Sequence, residues 1–251
     1  MSTRLKKKSS AQKNSANLRK LHTKKSSSKL KSGEIILGIN TSISTTQVAV
    51  IQGKKNLVSK SWTANFDEME KIMPAVDVAL KKVKRSVQKI VVIKGPGPFT
   101  SLRIGVALAN TLAYALKAKV FSMSTWEYFE LVVPKKFHKS TATVLRAGGE
   151  YVAVKLPAKK TSKRLHANEV EKFLQKHTSI KYITGDVPPA QKKAMKLPKN
   201  VKWHSAKTLS TFSEILHRLD WKLMRSPKKN IVTPVYLLPP KITQSKKPVF
   251  V

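Results

Sequence analysis

Cysteine is absent from the 251 residues, which excludes disulfides, thiolate catalysis and thiolate metal ligation. Acid is scarce: 13 Asp and Glu stand against 50 Lys and Arg, a formal net charge of +37. A field of that sign favours polyanions, above all RNA or DNA, through counterion release and steering. A proteome rich in lysine throughout would give the same composition. No uncharged apolar run of about 18 residues occurs, so no membrane-spanning helix is expected. The amino terminus lacks the apolar core of a secretory signal, and the cytoplasm is the expected compartment.

What is present divides abruptly. Residues 1–32 carry eleven Lys or Arg and no acid, a composition that cannot bury enough surface to fold alone. A disordered basic arm is expected there: an RNA or ribosome tether, a transit peptide or a solvated tail. From residue 33 apolar patterning begins. "EIILGI" (Glu34 to Ile39), "TQVAVI" (Thr46 to Ile51) and "NLVSKSWT" (Asn56 to Thr63) read as an antiparallel meander. Phe66 to Val83 places Phe66, Met69, Ile72, Met73, Val76, Leu80 and Val83 on one helical face, with Pro74 expected to bend or break it. "KIVVIK" (Lys89 to Lys94) reads as a buried strand, Leu102 to Lys117 as a helix and "KVFSM" (Lys119 to Met123) as a strand.

That order predicts an α/β unit with a mixed sheet. From Pro134 the pattern restarts. "TATVLR" (Thr141 to Arg146) and "YVAVKL" (Tyr151 to Leu156) predict a hairpin around Gly148 and Gly149, followed by a polar helix from Asn168 to His177 and a strand "IKYITG" from Ile180 to Gly185. Asp186 to Asn200 reads as a loop, Thr208 to Met224 as a final helix, and "TPVYLLPP" (Thr233 to Pro240) as an edge strand or docked tail. Two lobes are expected, 33–131 and 132–205, with 206–251 packing back on them. The second lobe is the more basic and the better candidate for an RNA-facing surface; Tyr151, Tyr182, Trp203 and Trp221 are either core residues or platforms for bases.

The stretch "KGPGPFTSLRIG" (Lys94 to Gly105) lies where a strand hands over to a helix, a place where backbone N–H groups and the helix dipole can hold phosphate. The nucleotide loop G-x-x-x-x-G-K is not matched, and Pro96 and Pro98 lack N–H groups. A structural corner accounts for more. Gly95 and Gly97 give the turn its backbone freedom, Phe99 completes it, and Thr100 serves as N-cap of a helix beginning at Ser101. Arg103 opposes the helix dipole in the first turn, which suggests either an anionic neighbour, carboxylate or phosphate, or a solvated arginine.

The helix behind the corner is apolar or small nearly all round, with Gly105, Ala109 and Ala113 at spacing four. Such a helix must be covered on both sides. One side is given to its own sheet; the other asks for a second helix, either Phe66 to Val83 of the same chain or, as the preferred expectation, a partner, with Leu112, Arg103, Met69 and Met73 in the same contact. Asp67, Glu68 and Glu70 read as dipole partners at a helix amino terminus. No catalytic or metal constellation is visible: the six histidines are scattered without ligand spacing, and no G-x-S-x-G elbow occurs.

"ILGINTSISTTQVAVI", followed by "VVIKGPGPFTSLRIGVALANTLAYALKAKVFSMSTWEYF", resembles the bacterial TsaB (YeaZ) family, whose central motif usually runs Gly-Pro-Gly-Ser-Phe-Thr-Gly-Leu-Arg-Ile-Gly; "TPVYLLPP" is similar to the family's Pro-x-Tyr-Leu-Arg ending. The likeness covers residues 34–130 well and the second lobe weakly. It implies a two-lobed actin-like, sugar-kinase (ASKHA) fold. It also implies a non-catalytic scaffold role in threonylcarbamoyladenosine modification at tRNA position 37. The implied partners are a TsaD-like catalytic subunit, bound by first-lobe helices, a TsaE-like ATPase, and tRNA through the basic surface, with a homodimer when the partner is absent.

Departures from the family pattern point away from catalysis. Asn40 stands where ATP-using members have a metal-organising Asp, Pro98 replaces Ser, Ser101 replaces Gly, and the second-lobe opening "VLRAGGEYVAV" lacks the usual Asp. No cofactor is expected beyond a weak or interface-bound nucleotide. An older peptidase label for the family finds no nucleophile–base pair or metal site here. An ASKHA ATPase and a basic RNA- or ribosome-binding protein reusing the fold are the alternative readings.

Overall fold

The protein is described from a computed structural model covering residues 33–63, 67–221, 224 and 226–238. The basic arm, Phe66 and the last residues of the tail lie outside the described residues.

Every residue of β1 (Ile35–Asn40) is buried, which requires cover on both faces of its sheet. β1 pairs antiparallel with β2 (Thr45–Gln52), which pairs antiparallel with β3 (Lys55–Thr63). On its other side β1 runs parallel to β4 (Lys89–Ile93), and β4 to β5 (Lys119–Met123), giving the order β3-β2-β1-β4-β5. Alternation along β1 sends Ile35, Leu37 and Ile39 to one face and Ile36 to the other.

The first face carries α1 (Glu68–Lys82) and α2 (Phe99–Ala115), through Ile72, Val76 and Leu80 of α1 and Leu102, Val106, Ala109 and Ala113 of α2. Pro74 sits inside α1 on its exposed side without ending it. The second face carries α3 (Thr125–Val132) and α6 (Phe212–Arg218), through Tyr128, Phe129, Phe212, Ile215 and Leu216. Both helices open with reciprocal capping boxes, Ser124 with Glu127 and Thr211 with Glu214, each satisfying two otherwise orphaned N–H groups.

The second sheet repeats the first. β6 (Thr141–Arg146) and β7 (Tyr151–Lys155) form the expected hairpin, and β8 (Lys163–His166) extends it. β9 (Tyr182–Asp186) and the two-residue β10 (Lys202–Trp203) run parallel to β6 on its other side. The order β10-β9-β6-β7-β8 is that of the first sheet with each strand in its equivalent place. One face is closed by α4 (Val170–Gln175) and the residues around α5 (Pro189–Ala194), through Val170, Leu174, Met195 and Leu197.

Several boundaries differ from expectation. Asp186 to Asn200 is not wholly loop: α5 lies within it, started by Pro189, whose missing N–H costs nothing in a first turn. The final helix is Phe212–Arg218 rather than Thr208 to Met224, because a 3-10 turn at Ala206–Thr208 precedes its cap. The polar helix shortens to Val170–Gln175, preceded by a 3-10 turn at Ala167–Glu169. Residues 233–238 form no strand; they dock as a tail. Between the lobes, the Ser44 N–H donates to Asp186 Oδ2 at 3.0 Å and the Ser44 hydroxyl donates to Asp186 Oδ1.

Candidate partner interface

The glycine corner is filled by the protein's own backbone. Gly95 has φ +102°, and a side chain there would overlap the Val235 carbonyl of the docked tail. A Cβ at Gly97 would overlap the Ser42 carbonyl, and one at Gly105 the Thr41 hydroxyl. The motif therefore closes against the β1–β2 turn on one side and the tail on the other. That turn is held by Asn40, fully buried: its Oδ1 accepts from Ser42 N–H at 3.0 Å and Ser42 Oγ at 2.8 Å, and its Nδ2 donates to Gln47 at 2.9 Å. The Tyr128 hydroxyl donates to the same Gln47 oxygen at 2.9 Å, and burial raises its pKa to about 12.

Thr100 is not the N-cap. α2 begins at Phe99, Pro98 occupies the cap position, and no side chain caps the helix. The helix therefore starts two residues earlier than a Thr100 cap would place it, behind a proline whose φ is preset. Glu68 stands in the first turn of α1, where the helix dipole favours an acid, and does more. It is buried, accepting from Thr46 Oγ1 at 3.0 Å and Ser101 Oγ at 2.6 Å, and so ties α1 to β2 and α2.

The small-residue stripe points inward. Gly105, Ala109 and Ala113 are buried against their own sheet, Ala109 at 0 % exposure, so they are corrected from partner-facing to core. Their size serves close approach of α2 to the sheet. The outward row of α2 is instead Arg103, Ala107 and Thr111, all exposed. Ile104, Leu108 and Leu112 are half-buried, on the side where Ser101 reaches α1. On α1, Met69 and Met73, one turn apart, are 59 % and 50 % exposed. Met69 and Met73 are thus exposed on α1 and Arg103 and Ala107 on α2, while Leu112 lies half-buried with Ile104 and Leu108.

The other flank of α2 is covered by the tail, which the sequence did not assign to it. Asn110 holds Val232 reciprocally, Nδ2 to its carbonyl and Oδ1 from its N–H, both at 2.9 Å. Val235 N–H donates to Lys94 O at 2.7 Å, and Tyr236 packs on Phe99 with centroids 4.7 Å apart. The Arg103 guanidinium lies 5.2 Å from the Phe99 ring and has no carboxylate partner among the described residues. Among the described residues no three His, Asp or Glu gather as a metal site, and no helix is long and apolar enough to cross a membrane.

A sequence model of the family described as TsaD, tRNA N6-adenosine threonylcarbamoyltransferase, matches residues 64–207, more than half of the chain. The tRNA threonylcarbamoyladenosine biosynthesis protein TsaB of Buchnera aphidicola (subsp. Schizaphis graminum) is 29 % identical over 166 residues, covering 61 % of this chain and 79 % of that one. The chain belongs to the TsaB (YeaZ) branch of the TsaD family. TsaB of Bacillus subtilis is 36 % identical over 95 residues, 37 % of this chain and 42 % of its own length. YeaZ from Pseudomonas aeruginosa shares the fold with a TM-score of 0.55 at 17 % identity, over 81 % of this chain and all of that one.

Proposed function

We propose that this chain is a scaffold subunit in tRNA threonylcarbamoyladenosine biosynthesis that pairs with a TsaD-like catalytic subunit through α1 and α2. Family membership supports the pathway. The observation that carries the pairing is the exposure of two methionines one turn apart on α1, Met69 at 59 % and Met73 at 50 %. On a surface otherwise crowded with lysine, exposed apolar area costs about 25 cal/mol per Å² in water, a cost removed when a partner covers it. Unbranched methionine adapts to a partner's contour.

The corner behind α2 supports a scaffold rather than a phosphate-binding role. Its space is taken by the Val235 and Ser42 carbonyls, which repel anions, and Asn40 spends its polar atoms on the turn. Arg103 is exposed on α2 over the Phe99 ring, a cation suited to a partner carboxylate. Co-expression with a TsaD-like subunit tests the reading: the two chains are expected to co-elute, and Met73→Lys to separate them. Independent elution of the unmodified chains would contradict it.

A further inference from the structure

One face of the second sheet is covered by α4 and α5, while the other meets α3 at β6. Register places Lys202, Tyr182 and Thr141 side by side across β10, β9 and β6, with Thr184, Thr143 and Lys155 as the next row. These residues alternate with Ile183, Ala142, Val144 and Val154, which form the core under α4 and α5. At its β6 end this face meets the first lobe through Leu145, which packs in that lobe's core. Over the rows nearer Thr141 it opens onto a cavity of about 510 Å³, walled on the far side by Trp126 and Phe129 of α3.

Aromatic rings and cations gather here. Phe137, Tyr182 and His204 form one half-buried cluster, with Tyr182 and His204 stacked at 4.7 Å and 18° and Phe137 at 5.0 Å from Tyr182. Lys202 lies over Tyr182 at 5.7 Å, Lys136 over Phe137 at 4.9 Å and Lys155 over Trp126 at 5.9 Å. Lys135, Lys139 and Lys155 line the cavity with one carboxylate, Glu130. The whole second lobe, residues 132–205, holds 17 Lys and Arg against four acids.

We propose that this open sheet face, from the Phe137–Tyr182–His204 cluster to the cavity at Trp126, is a binding platform for single-stranded RNA. Rings half-buried at this sheet face offer stacking surface to unpaired bases, and the lysines above them meet the phosphates between those bases. The Thr143 and Thr184 side chains beside Trp126 place polar groups where a base edge would enter. A duplex hides its bases and would engage the cations alone, so charge by itself does not account for rings and cations sharing one face. The identity of the RNA as a tRNA loop rests on the pathway reading above; the platform itself does not depend on pairing with a TsaD-like subunit.

The test uses the full chain and a labelled single-stranded decaribonucleotide, with heparin and an RNA duplex of equal length as charge-only probes. Tyr182→Leu and Trp126→Leu keep the net charge and are expected to weaken single-strand affinity about 5-fold or more each, leaving heparin affinity unchanged. Affinity unchanged in both variants, or tighter binding of the duplex than of the single strand, would overturn the platform. If a variant fails to fold, photocrosslinking of the unmodified chain to a 4-thiouridine oligonucleotide decides: crosslinks at 126–143 and 181–204 support it, and crosslinks confined to residues 1–32 overturn it. Complex formation with a TsaD-like subunit is read separately, so either proposal can fail alone.

Discussion

The Ser101 hydroxyl donates a 2.6 Å hydrogen bond to Glu68, joining the first turns of α1 and α2. Glu68 is buried and its second oxygen is held by Thr46. Ser101 stands where the family motif usually has Gly, so this chain gains a tie that a glycine could not make. Ser101→Ala leaves a buried carboxylate one donor short and is expected to cost about 1–3 kcal/mol. Urea unfolding, compared at equal slope, measures it.

Gly97 is tighter than its sequence context suggests. A methyl there would overlap the Ser42 backbone, which cannot rotate away, whereas at Gly53 nothing lies within 4 Å. Gly97→Ala is expected to destabilise by about 1–3 kcal/mol or more, as overpacked core sites do. Gly53→Ala tests backbone freedom alone, since φ there is +54°, and is expected to cost less. Thermal midpoints of the two variants give the ordering.

Asp186 links the lobes through both donors of Ser44. Asp186→Ala removes the acceptor while leaving each lobe's core intact. The expected outcome is faster amide hydrogen exchange in residues 41–45 with little change in β4 or β9, because local opening rather than global unfolding exposes the turn.

His204 stacks on Tyr182 and meets Thr141 Oγ1 at 2.9 Å; burial lowers its pKa below the ordinary 6.5. Below pH 6.5 the unfolded chain binds a proton that folded His204 resists. Its effect is therefore nil above that pH, and stability falls as pH drops from 6.5 towards the lower folded value. His204→Gln cannot titrate, so its thermal midpoint is expected to fall less between pH 7 and pH 5 than that of the unmodified chain.

The first lobe was legible because its signals are one-dimensional. "KIVVIK" is an uninterrupted apolar run, as a strand covered on both faces must be, and Ile72, Val76 and Leu80 repeat at helical spacing. What failed was direction. A small stripe signals close approach without saying to what, and Gly105, Ala109 and Ala113 approach their own sheet rather than a partner. Asn110 gave no local sign that it would clamp a segment more than 100 residues away. In the second lobe, the polar edge strand β8, "KRLH", lacks the alternation that marks a half-buried strand. Helix α5 hid behind the prolines that start it.

The outward and inward rows of α2 separate interface from core, and a pair of arginine substitutions reads both. Ala107 is exposed and Ala109 fully buried, two residues apart on one helix. Each variant is measured for its thermal midpoint alone and for its affinity for a TsaD-like subunit. Ala107→Arg is expected to keep the unmodified midpoint and weaken the complex at least tenfold, while Ala109→Arg lowers the midpoint or prevents folding. Full affinity retained by a folded Ala107→Arg chain would contradict the account.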